Sequence, residues 1–240
     1  MEVRERAPGL GHLGELLRGD PATLRDWSSD WDRDRLAVCG VAIVTGAGLY
    51  GAAMGIWRAP LAAWFVAIKL PLILFVTAVG NALLNAMLAP LLGLNIRFRQ
   101  SFLAILLSFT LLSVILGAFS PLLFFVVWNT PPLAANSFHW DWSYSFVQTT
   151  HVVVIAFAGV VANLRLLQLL RQWSGDNKIA RRVMIAWLAG NLFFGSQLSW
   201  ILRPFIGSPV LPVEFFRSNA FQGNFYETIF RSVIRVFDIE

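Results

Sequence analysis

The sequence predicts an all-α fold: a polytopic membrane helical bundle of about five transmembrane helices, with amphipathic N- and C-terminal helices. Three observations predict it. Hydrophobic residues fill 57% of the 240 positions and charged residues only 14%, well under the roughly 25% of an ordinary soluble domain. Mean hydropathy is +0.63. Five apolar stretches each reach the ~20 residues that a helix needs to cross a bilayer core of about 30 Å, and backbone groups in lipid must be satisfied within the segment. The length suits one bundle and short tails, without a second globular domain. Net charge is +5 and the pI about 10.1, but the charges sit between apolar runs. Loop orientation therefore accounts for them, and nucleic acid is not an expected partner.

Residues 1–35 are read as a cytoplasmic amphipathic segment. No short apolar core precedes a cleavage site, so the first span is expected to act as an uncleaved insertion signal. Asp20 and Pro21 supply a cap and a first helical residue, and Leu24, Trp27 and Trp31 then share a face.

Residues 36–203 are read as the five-span bundle. The spans are expected near 36–56, 70–92, 102–127, 147–170 and 183–202. The first offers a small-residue face of Ala47, Gly51 and Gly55, suited to close helix approach. The second is expected to begin near Leu70, with Pro71 in its first turn and Lys69 snorkelling to the interface. Cys39, the sole cysteine, lies in an apolar run and reads as a packed thiol.

Residues 204–240 are read as a turn and an amphipathic C-terminal segment. Asn224 with Glu227 three residues on resembles a capping box. Phe225, Ile229, Val233 and Phe237 then line one side. Such helices lie on the membrane surface or dock on the bundle. A sixth, re-entrant segment around 205–216 is an alternative.

Lys and Arg set the orientation. With the N-terminus inside, thirteen are cytoplasmic and six are not, which is the arrangement the positive-inside rule selects. The expected location is the cell membrane, multi-pass, with the N-terminus cytoplasmic and the C-terminus on the opposite side.

Intramembrane polar groups are the functional pointers in such a chain. Thr77, Asn81 and Asn85 form one stripe in the second span. In the fifth, Asn191, Gly195 and Ser199 share a face that Arg203 continues, while Gln197 points elsewhere. In the fourth, His151, Gly159 and Asn163 align. These residues read as helix–helix glue, since side-chain amides hydrogen-bond across helices, or as a polar pathway for an ion or small solute. No Asp or Glu lies within a span, which speaks against a proton relay. His139, in HWDW, has too few neighbouring ligands for a metal.

The segment SQLSWILRPFIGSP, residues 196–209, ends the last span on Arg203. Pro204 biases Arg203 out of helical geometry, and Gly207, Ser208 and Pro209 supply a turn. Lys69, Arg203, Pro204, Gly207 and Pro209 are the candidate interfacial anchors. Arg203 is expected to tie the turn to helix-end carbonyls, lipid phosphate or a carboxylate such as Glu214. An anion-binding arginine at a pore mouth is the second reading.

The segments YGAAMGIWRAPLAAWFVAIKLPLILFVT, IRFRQSF, SQLSWILRPFIGSP and NFYE together resemble a family of small bacterial integral membrane proteins with a W-x-LRPF-x-GSP segment. The resemblance covers about 50–230 and implies a bacterial inner-membrane protein; it carries no catalytic residue across. In span count, and in FRQSF opening the third span, the chain is also similar to the Yip family of five-span trafficking proteins. That similarity implies a membrane-organising role.

The sequence carries no HExxH, GxSxG, paired intramembrane carboxylates or Gly-rich phosphate loop. The expectation is therefore a protein that is not an enzyme and uses no cofactor and no metal. Its partners would be the lipid bilayer and either a second copy of itself or other membrane proteins. The expected role is structural, adaptor or membrane-organising. The alternative is an oligomeric channel or small-solute transporter that uses the polar stripes of spans two and five.

Overall fold

A computed structural model of the chain describes residues 14, 18, 32–131, 142–207 and 212–227. Five helices follow one another: α1 (Arg33–Ile56), α2 (Pro60–Leu91), α3 (Phe98–Trp128), α4 (Trp142–Ser174) and α5 (Asn177–Leu202). Each is long and apolar enough to cross a membrane, so this is a multi-pass membrane protein. The N-terminal face of Leu24, Trp27 and Trp31, along with His139, Pro209 and the C-terminal Ile229, Val233 and Phe237, lies outside the described residues.

Local chemistry sets the helix ends. Asp32 caps α1 by accepting from the Asp34 amide at 3.1 Å, and Asp176 caps α5 by accepting from the Lys178 amide at 2.7 Å. Each satisfies a donor that a helix start leaves orphaned. At α3, Gln100 reaches back to accept from the Arg97 amide at 3.0 Å.

The start of α2 corrects the sequence expectation. The helix begins at Pro60, not near Leu70, and runs through Pro71 without ending. Ala59 is extended, so the chain turns there, and Pro60 takes the first helical position, where its missing N–H is no loss. Pro71 sits in the interior, where a membrane helix tolerates proline because its neighbours re-satisfy the freed carbonyl.

Glycines bring α1 against two neighbours at once. Gly51 and Gly55 abut the α2 backbone; a Cβ on either would sit 2.5 Å from the carbonyl oxygen of Val66 or Ala62. Together with the fully buried Ala47, this is the small-residue face that the sequence predicts. A second small-residue face appears one step round the helix. A Cβ on Gly46 would fall on the Ser113 carbonyl of α3, and one on Gly117 would sit 2.9 Å from the Gly46 Cα. Backbones approach this closely only where side chains are missing.

Helix α3 is the most enclosed of the five and packs against α1, α2 and α4. Two of its hydroxyls stay local, Thr110 donating to the Leu106 carbonyl at 2.8 Å and Ser120 to that of Leu116 at 3.1 Å, while Ser101 donates across to the Ala82 carbonyl of α2 at 3.4 Å. Helix α5 packs on α2 and α4 and leaves Ile185, Leu192 and Phe193 exposed, as lipid-facing side chains are.

Candidate functional site: an amide clasp and a cationic pocket

The two asparagine stripes meet. Asn81 Nδ2 donates to the Trp187 carbonyl at 3.2 Å and to Asn191 Oδ1, and Asn85 Nδ2 donates to Asn81 Oδ1 at 2.9 Å. Asn81 and Asn85 are fully buried. Gly190 makes room for the clasp, since a Cβ there would land on Asn81 Oδ1. The Asn81 amide thus bridges α2 to a backbone carbonyl of α5 and to one of its side chains.

The other stripe members stay apart from this clasp. Thr77 is buried, but its hydroxyl has no partner among the described residues. Ser199 is half-buried, and among the described residues no hydrogen bond joins it to the clasp amides. A Cβ on Gly195 would meet nothing within 4 Å, so that glycine admits no neighbour. Gln197 turns to the C-terminal segment and accepts from the Phe225 amide at 3.4 Å.

Helix α4 makes its own link. Tyr50 of α1 donates to the His151 carbonyl at 3.3 Å, and its oxygen lies 3.1 Å from His151 Nδ1. Asn163 does not extend this link; its amide donates to the Gly159 carbonyl of its own helix at 2.8 Å. The fourth-span stripe is therefore one interhelical contact at His151 and one intrahelical bond at Asn163.

The described anchor residues, Lys69, Arg203, Pro204 and Gly207, lie toward the end of the bundle where α1 passes to α2 and α5 to the C-terminal segment. Lys69 does not snorkel. It is 1% exposed, and its Nζ donates to the Glu214 carbonyl at 3.4 Å and lies 5.3 Å from the centre of the Phe215 ring. Phe215 also meets Phe65 of α2 edge-on at 5.6 Å. The reason for the burial is the early start of α2: Lys69 falls nine residues inside the helix, about 14 Å from its first turn at 1.5 Å per residue. The chain after α5 folds over it.

Arg203 ends α5 with extended backbone, φ −59° and ψ 156°, as a residue before proline should. Its guanidinium lies 3.1 Å from the centre of the Trp200 ring, a cation–π contact outside the expected partners, which are helix-end carbonyls, lipid phosphate or a carboxylate such as Glu214. Glu214 gives its backbone carbonyl to Lys69 instead. Burial, and then the nearby Arg217 charge, lower the Arg203 pKa from its usual value. Pro204 and Gly207 line a pocket with Arg58 and Lys69. Gly207 has φ +91°, and a Cβ there would sit 2.6 Å from Arg58 Cβ. Only glycine suits both demands.

Beyond the turn, the chain returns along α5. Asn224 Oδ1 accepts from the Glu227 amide at 2.8 Å, the cap the sequence predicts. Tyr226 stacks on Phe193, ring centres 5.8 Å apart, and its hydroxyl lies 2.9 Å from that of Ser196. These contacts fall up to nine residues before the end of α5, so the described part of the C-terminal segment docks on the bundle.

Several site residues escape the sequence reading. Arg58 and Arg217 count there only as loop charges, and Gly190 and Tyr50 are not singled out at all. A tyrosine in mid-span was the available signal, because a buried phenol needs a partner. No family model, curated protein or solved structure matches this chain.

Proposed function

We propose that this protein is a non-enzymatic membrane scaffold or adaptor whose asparagine stripes hold helices together. The observation that carries the reading is the fate of the Asn81 amide: it is fully buried and bonded to α5 through Trp187 and Asn191. An amide lining a wet passage would keep its donors for water or solute. The similarity in span count to Yip proteins fits a membrane-organising role. We orient the N-terminus to the cytoplasm, because Arg97, Arg99, Lys178, Arg181 and Arg182 gather at that end of the bundle.

Ion-flux recording on the full chain in liposomes tests the reading. The expected result is no conductance from wild type and none from Asn81→Leu, with the variant less stable. A wild-type conductance that Asn81→Leu abolishes would establish the channel alternative.

A further inference from the structure

Four cations, Arg58, Lys69, Arg203 and Arg217, lie at one end of the bundle, and no ion pair joins any of them to an acid among the described residues. Arg58 and Lys69 line one partly open pocket. Arg203 directly precedes the Pro204 and Phe205 of the pocket wall, and Arg217 Nη2 donates to the carbonyl of Trp200, whose ring Arg203 covers, at 3.4 Å. Glu214 lines the same pocket, but among the described residues none of the four cations is ion-paired. The Nε atoms of Arg58, Arg203 and Arg217 are buried and have no hydrogen-bond partner there. Lys69, 1% exposed, has one long bond to a carbonyl. Buried donors are ordinarily satisfied, and guanidiniums do not shed their protons. Like charges held together with unspent donors call for an anion.

The walls define which anion. Phe65 and Phe205 give the pocket an apolar side, and Arg58 sits in the short connection between two helices long enough to span a membrane. A guanidinium fork and an ammonium suit the oxygens of a phosphate. We propose that Arg58, Lys69, Arg203 and Arg217 form a binding site for a phosphate-bearing group, with the Phe65 and Phe205 side accommodating the apolar part of a lipid. The site needs only that the chain be inserted in a bilayer, so its failure would leave the scaffold reading standing.

The test uses the full chain in detergent micelles. Native mass spectrometry follows added phosphatidylglycerol against phosphatidylcholine, and calorimetry follows inorganic phosphate. Wild type is expected to retain phosphatidylglycerol in preference. Arg58→Gln, Lys69→Met and Arg203→Gln should each weaken retention at least ten-fold, while Arg181→Gln at the opposite end leaves it unchanged. Binding of inorganic phosphate alone, lost in the same variants, would support the site with free phosphate as its ligand. Binding of neither probe would overturn the proposal, as would equal binding by wild type and Arg58→Gln. That variant keeps the test decisive if Lys69→Met does not fold, because Arg58 lies between helices.

Discussion

Gly190 and Asn81 occupy one another's space: the position a Cβ would take on Gly190 is held by Asn81 Oδ1. The same oxygen accepts from Asn85, so the fit of α5 against α2 and the hydrogen bonding of the clasp are one arrangement. Gly190→Ala should therefore destabilise the protein by about 1–3 kcal/mol, as overpacking does. Gly195→Ala, where a Cβ meets nothing, should be neutral or stabilising by up to about 1 kcal/mol through helix propensity. Thermal unfolding in detergent, followed by circular dichroism, reads both.

Asn81→Leu removes two donors to α5 and one acceptor for Asn85. Interhelical hydrogen bonds in membranes average about 0.6 kcal/mol, so a loss on the order of 1–2 kcal/mol is expected. Asn163→Leu, which breaks a bond within one helix, should cost less. Equal losses in the two variants would contradict the clasp.

Tyr50 and His151 invite a double-mutant cycle. Tyr50→Phe leaves His151 Nδ1 and its carbonyl without their partner, which costs about 1–3 kcal/mol for a buried group. With His151→Leu already in place, Tyr50→Phe should cost less, because the residues are in direct contact. Additive losses would mean that the contact between the Tyr50 hydroxyl and the His151 ring contributes nothing, the bond to the His151 carbonyl being present in both backgrounds.

Lys69 should be shielded from water by the C-terminal segment. In a Cys39→Ser background, Lys69→Cys is expected to react slowly with a membrane-impermeant maleimide. Deleting residues 204–240 should speed the reaction at least ten-fold. Rapid labelling of the full-length chain would restore the snorkelling picture.

The architecture was legible because its signals are local. Apolar run length gives five spans, and the paired glycines of the first span give one of its two tight contacts. Asn81 and Asn191 were legible as stripes, since a buried amide needs a partner, but their mutual pairing depends on α5 lying beside α2, which no local pattern encodes. Lys69 misled for a definite reason. A lysine beside a proline reads as a helix border, and only the extended Ala59 and the first-turn Pro60 put that border ten residues earlier. Arg58 and Arg217 are ordinary loop charges until the fold closes a turn of the chain over them.

The ammonium of Lys69 and the carbonyl that covers it are 145 positions apart. At the usual 5–20 residues per second of synthesis, the lysine enters the bilayer on the order of ten seconds before its cover exists. During synthesis the charge in the second span therefore stays uncovered until the segment after α5 has been made. A chain cut short after α5 would keep that charge uncovered.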